Sequence, residues 1–182
     1  MSTSDNTPGM RLTVLAVSFT RTVAGAAQAG LADTLERILH LLPAIYGACL
    51  DLDPYGTGAT GISDDYDTGA IAATVDEEQY DDARRVLAGL LGENDVYLDT
   101  AVEDMRYSDT PVAVSLAEQL ADIFQAMADF ASTMAQLPAD TAGVLADMKF
   151  RFHTYLSTTI CSALKAANAV YINTDPEENE EE

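Results

Sequence analysis

From Leu116 onward the apolar residues Leu116, Leu120, Ile123, Met127, Phe130 and Met134 recur in steps of four, three, four, three and four. Only an α-helix returns such positions to a single face. A second row beside it (Ala113, Ala117, Ala121, Phe124, Ala128 and Ala131) is mostly small, which lets a neighbouring helix approach closely. Glu118, Asp122, Gln125 and Asp129 fall on the remaining side and read as its wet face. A helix with two buried rows needs neighbours on both, so this element is expected at the centre of a helical bundle. Pro111 suits a first helical turn, with Asp109 or Thr110 as the cap before it, and Pro138 ends the element beyond Gln136.

The rest of the chain follows the same period. Leu12, Leu15, Phe19 and Val23 predict a helix from about Met10 to Gln28, ended by Gly30. Leu31, Leu35, Ile38, Leu42, Ile45 and Cys49 predict a second from Leu31 to Leu52, which Pro43 kinks or splits. Val75-Asp76-Glu77-Glu78 opens a third, where carboxylates favour the helix dipole, and Gly92 ends it. Glu93 to Met105 reads as a shorter fourth helix turning Val96, Tyr97, Ala101 and Val102 inward. After Pro138 a long helix is expected from Ala139 to Tyr171, with Met148, Phe152, Leu156 and Ile160 on its inner side. No run alternates with period two between turn residues. The expectation is therefore an all-α, compact bundle of about six helices with no sheet. Residues 1–9 and the acidic tail 173–182 read as disordered, and 10–172 as one helical domain interrupted by a Gly- and Asp-rich loop at 53–74.

Charge narrows the function classes. Against 30 Asp and Glu stand 9 Lys and Arg, a net charge of −21. Without the six acids between Asp175 and Glu182 the body still carries −15. Such a surface repels nucleic-acid phosphate and anionic lipid, and it favours solubility or a partner with a basic surface. No apolar run reaches the length of a membrane span, and Arg21 interrupts the Leu12–Phe19 stretch before Ala27-Gln28-Ala29 can serve as a cleavage site. Two cysteines, Cys49 and Cys161, both in apolar segments, read as small buried thiols and fit a cytoplasmic location.

Motifs that carry chemistry are sparse. Asp51-Leu52-Asp53-Pro54-Tyr55-Gly56 imitates the start of a calcium loop, but position five is Tyr55 and position twelve Ile62. Asp64-Asp65-Tyr66-Asp67 reads as a solvated acidic loop. Glu77, Glu78, Asp81 and Asp82, with Asp99, Glu103 and Asp104 further on, supply acids for a magnesium site without the spacing that a metal-dependent hydrolase needs. His40 and His153 have no glutamate three residues before them, as a di-iron bundle requires, and read as structural or surface residues. No nucleophile elbow, phosphate loop or dinucleotide fingerprint is present. No cofactor is expected.

Several segments, in order, carry a likeness to a known family: Thr13-Val14-Leu15-Ala16-Val17-Ser18-Phe19, Leu41-Leu42-Pro43-Ala44-Ile45-Tyr46, and Tyr97-Leu98-Asp99 leading to Val102-Glu103-Asp104-Met105-Arg106-Tyr107-Ser108-Asp109-Thr110-Pro111. Leu120-Ala121-Asp122-Ile123-Phe124-Gln125 follows. The chain resembles the uncharacterised bacterial family named domain of unknown function 5063, over roughly residues 10–172. The resemblance implies an all-helical bundle and transfers no activity or catalytic residue. Asp104, Tyr107, Asp109 and Asp122 lie in its most specific segments and bracket a helix-to-helix turn. They are the candidate binding residues, against the plainer expectation that Asp109 caps a helix, Tyr107 plugs the turn and Asp122 is solvated. The functional expectation is a non-enzymatic helical interaction module. The alternatives are a metal-dependent hydrolase or small-ligand binder using carboxylates between Glu103 and Asp122, and an acidic mimic of DNA.

Overall fold

A computed structural model of the chain describes residues 7–53, 69–99, 111–136 and 138–174. Helix α1 (Thr7–Ala24) is followed by a single turn, α2 (Ala26–Ala29), and by α3 (Leu31–Leu50). α1 starts three residues before the expected Met10, so residues 7–9 are helical and not part of a disordered terminus. Gly30 separates α2 from α3 with φ at +80°, a conformation that glycine reaches without the Cβ clash other residues meet. α3 runs unbroken through Pro43, whose side chain faces solvent. Its seam is buried at Leu35, Ile38, Leu42, Ile45 and Cys49, against Leu12, Ala16, Phe19 and Val23 of α1.

Helix α4 (Glu77–Leu91) opens with a reciprocal cap. The Asp76 carboxylate accepts from the Gln79 N–H at 2.8 Å, and the Gln79 side chain accepts from the Asp76 N–H at 3.1 Å. A 3₁₀ turn (Gly92–Asn94) follows it. Helix α5 (Leu116–Ala135) lies against α1, α4, α6 and α7, the central position its two apolar rows predict. Leu116, Leu120, Ile123, Met127 and Phe130 are all fully buried there. Each such side chain contributes roughly 1.5–3 kcal/mol of burial free energy.

The chain ends in a near-continuous rod: α6 (Thr141–Arg151), a π-helical turn (Phe152–Leu156), and α7 (Ser157–Asn173). The wider turn keeps Met148, Phe152, Leu156 and Ile160 buried along the whole rod, and the Phe152 ring meets the Tyr46 ring edge-on at 5.0 Å. No described helix is long and apolar enough to cross a membrane.

The expectation of no sheet needs correcting. Strands β1 (Val96–Asp99) and β2 (Val112–Ser115) pair antiparallel, with Val96 opposite Ser115 and Asp99 opposite Val112. The expected helix from Glu93 to Met105 is therefore a 3₁₀ turn and a strand as far as Asp99, and residues 100–105 lie outside the described residues. β-Branched and aromatic residues at 96, 97, 112 and 114 suit a pleated surface, and four residues are too few for a period of two to stand out. Pro111 sits just before β2, where it has no ladder donor to supply, and not in the first turn of α5.

One smaller expectation also changes, that of two buried thiols. Cys49 is buried, and burial pushes its thiol up to about 12, but Cys161 is exposed. His40 and His153 are both on the surface.

Candidate functional site

The side of α5 that carries Glu118, Asp122, Gln125 and Asp129 is expected to be wet, and only Glu118 is exposed. Asp129 is 4% exposed and Thr133 7%. What covers them is an extended strap, residues 71–75, lying along α5 and α6. Its backbone supplies the contacts. Asp129 Oδ1 accepts from the Thr74 N–H at 2.7 Å, the Thr74 hydroxyl at 2.9 Å and the Val75 N–H at 2.9 Å. Thr133 Oγ1 accepts from the Ala72 N–H at 3.1 Å. From α6, Asp147 Oδ2 accepts from the Ile71 N–H at 2.9 Å, and Arg151 donates to the Ile71 carbonyl at 3.3 Å. Arg151 stands 3.6 Å from the fully buried Asp147 carboxylate, one helical turn away. A buried carboxylate is tolerable only when hydrogen-bonded or paired, and an extended strap offers the free amides that do so.

The strap has a counterpart on the same helix. Lys149 Nζ donates to the Leu52 carbonyl at 2.5 Å. Asp147, Lys149 and Arg151 thus fix both ends of the segment between Leu52 and Ile71 onto α6. The strap's side chains at Ala72 and Ala73 face solvent, Thr74 turns its hydroxyl to Asp129, and Ile71 alone is driven into the core.

Further up α5, Asp122 is half-buried and accepts from the Tyr80 hydroxyl of α4 at 2.8 Å. Burial raises the Asp122 carboxyl above the ordinary range. The Tyr80 bond opposes that rise, and the charge of Glu118 one turn earlier adds to it. Tyr80 is itself pushed up, by burial first and then by its bond to Asp122. Tyr155, in the π-helical turn, is raised by burial, and the negative charges of Asp122 and Asp129 act in the same direction while Arg151 lowers it. Two phenols, two carboxylates and one guanidinium therefore share one side of α5, next to the only π-helical turn among the described residues. The arrangement can accept hydrogen bonds or a cation. It offers no activated nucleophile, because both phenols are held in their neutral form.

At the N-terminus of α5, Asp95 does the work expected of Asp109 or Thr110. Asp95 accepts from the Ala117 N–H at 2.7 Å and from the Ser115 hydroxyl at 3.0 Å, while Ser115 Oγ accepts from the Glu118 N–H at 3.1 Å. The cap is Ser115, backed by a carboxylate twenty residues earlier in the chain.

Of the candidate binding residues, only Asp122 is described. Asp104, Tyr107 and Asp109, with Glu103, the calcium-like stretch from Pro54 and the Asp64–Asp67 cluster, lie outside the described residues. Asp122 is not simply solvated, since Tyr80 holds it. Tyr80, Asp129, Thr133 and Asp147 escape a reading by helical phase. One signal was available: α5 carries three acids and no Lys or Arg, so its acids have no i,i+4 partner to explain them as a surface row. Among the described residues no three His, Cys, Asp or Glu come together as a metal set.

Comparison with known proteins gives three findings. A family model, described as "Domain of unknown function (DUF5063)", matches residues 10–173. No curated protein matches the chain. The crystal structure of protein BF1032 from Bacteroides fragilis aligns with a TM-score of 0.72 at 20% identity, over 94% of this chain and 96% of that one. At that identity the likeness speaks for the fold alone.

Proposed function

The chain belongs to the family of domain of unknown function 5063, and on that premise we propose that it is a non-enzymatic, cytoplasmic helical module that docks a protein partner of basic surface. One observation carries this reading: the way the carboxylates divide. Those turned inward (Asp129 and Asp147, with the half-buried Asp95) each accept from a backbone amide of this same chain. Those turned outward, such as Glu77, Glu78 and Asp82 on α4, stand exposed, and only Arg84 and Arg85 temper that face, each pairing one turn back. Exposed ion pairs of that kind hold little energy, so the face keeps its negative potential for a partner. The test is co-purification from cells after cross-linking, with E77Q/E78Q/D82N as the control. A discrete stoichiometric partner, lost at high salt and lost with the triple variant, is the expected result. Turnover of a nucleotide or ester by the purified chain, abolished by Asp122→Asn, would overturn it.

A second reading has its own support in the half-buried Asp122, which Tyr80 and not a cation holds. There the Asp122 carboxylate, held at the α4–α5 contact by Tyr80, binds a small cationic ligand or a divalent metal. Melting curves with magnesium, calcium or manganese distinguish it: a metal-dependent rise that Asp122→Asn removes supports the ligand site, and unchanged melts dismiss it.

A further inference from the structure

The two-stranded sheet leaves backbone groups unused. The Leu116 N–H donates to the Asp95 carbonyl at 2.8 Å, which extends the β1–β2 register by one pair. In an antiparallel ladder, bonded and non-bonded pairs alternate. Tyr97 with Val114 and Asp99 with Val112 are then the bonded pairs. The N–H and C=O groups of Val96 and Leu98 point the other way, off the free edge of β1. The same two residues expose their side chains, at 62% and 64%, while Tyr97 and Asp99 turn inward. Sheet edges are usually guarded by Lys, Pro or a bulge. β2 has Pro111 in front of it, and β1 has no such guard. β1 also borders a recess of about 280 Å³ against α7, with Val96, Tyr97, Ala166, Ala169 and Val170 among its walls.

We propose that the free edge of β1 is the docking strand of this module, which takes an extended segment of a basic partner as a third strand. The proposal rests on the interaction-module reading above and specifies its site. Backbone groups of Val96 and Leu98 supply the bonds, and the recess takes an apolar side chain of the added strand. Charge selects the occupant. Glu93 stands exposed just before the strand on a body at −21, whereas Asp95 is taken up by Ser115 and Ala117, Asp99 is buried, and Lys165 is the cation among the recess walls described. A segment with Lys or Arg beside an apolar residue complements that charge. A second copy of this chain does not, since it would bring together two bodies each at −21.

The test uses the full chain, labelled with ¹⁵N, and an alternating Lys-Val hexapeptide as the probe. Binding is expected to shift the Val96 and Leu98 amides and slow their hydrogen exchange. A peptide N-methylated at alternate residues, or one with Glu in place of Lys, should do neither. Leu98→Pro removes an outward N–H without touching the bonds to β2. It should weaken the peptide about tenfold, as expected for the loss of one or two backbone bonds, with an unchanged far-UV spectrum. Val96→Thr, which trims the apolar contact and keeps the fold, should weaken it less. Equal binding of the N-methylated peptide, or shifts confined to α4, overturns the edge. Concentration-dependent protection of Val96 and Leu98 without peptide shows a second copy there and also overturns it. A cellular partner that binds wild type and Leu98→Pro alike sinks the edge and leaves the interaction module standing, whereas absence of any cross-linked partner of the wild-type chain with the peptide still bound does the reverse.

Discussion

The two halves of α5 treat the same residue type in opposite ways. Toward its C-terminal end, Asp129 is 4% exposed and its one oxygen gathers two amides and a hydroxyl from the strap. Two turns earlier, Asp122 is half-buried, meets only Tyr80, and lies near the like charge of Glu118. The first carboxylate is well solvated by protein and organises the chain around it. The second is partly stripped of water and under-compensated, so its charge is a cost to the fold. What separates them is the number of donors a neighbouring segment brings, not the helix they share. Surface acids on α4 form a third case, where water does the solvating.

The largest effect is expected where most donors converge. Asp129→Ala orphans the Thr74 and Val75 amides and should cost about 3–4 kcal/mol, read as a fall in the urea midpoint. Hydrogen exchange would sharpen this: Thr74 and Val75 should lose protection while Ile71, held by Asp147, keeps it. An unchanged midpoint would mean that the strap is not held through Asp129.

Asp95→Ala comes next. It removes the carboxylate that holds the Ala117 amide and the Ser115 hydroxyl, so the loss should be that of a helix cap, about 1–2 kcal/mol. A loss as large as that at Asp129 would place the β1–α5 junction, not the strap, at the energetic centre.

Asp122→Asn should act with the opposite sign. The folded carboxyl is raised above its unfolded value, so the native state holds its proton more tightly and stability falls as pH rises from the ordinary carboxylate range through the raised one. Asn keeps an acceptor for Tyr80 and has no charge to bury. Melting temperatures across that window should therefore show wild type losing ground to the variant as pH rises. The reverse trend would show that Asp122 is compensated as fully as Asp129.

Glu78→Gln on α4 sets the floor. An exposed acid in a first turn should move stability by less than about 0.5 kcal/mol, and less again in high salt. A shift above that limit would remove the contrast between acids solvated by water and acids solvated by protein.

The sequence determined the helices of this protein, because apolar spacing of three and four is a local property that each segment carries by itself. Leu116 to Phe130 shows it, as does the seam of α3 from Leu35 to Cys49. The glycine stops at Gly30 and Gly92 were legible for the same reason. Helical phase could not say what would lie over a polar face. It assigned Asp129 to water, and only the return of residues 71–75 across α5 and α6 buried it. Nor could phase find a strand as short as Val96–Asp99, which exists because β2 arrives to bond it, or assign the α5 cap to Asp95, which the same pairing delivers. Each of these depends on atoms distant in sequence, and a residue's neighbours along the chain hold no record of which amides will later stand beside it.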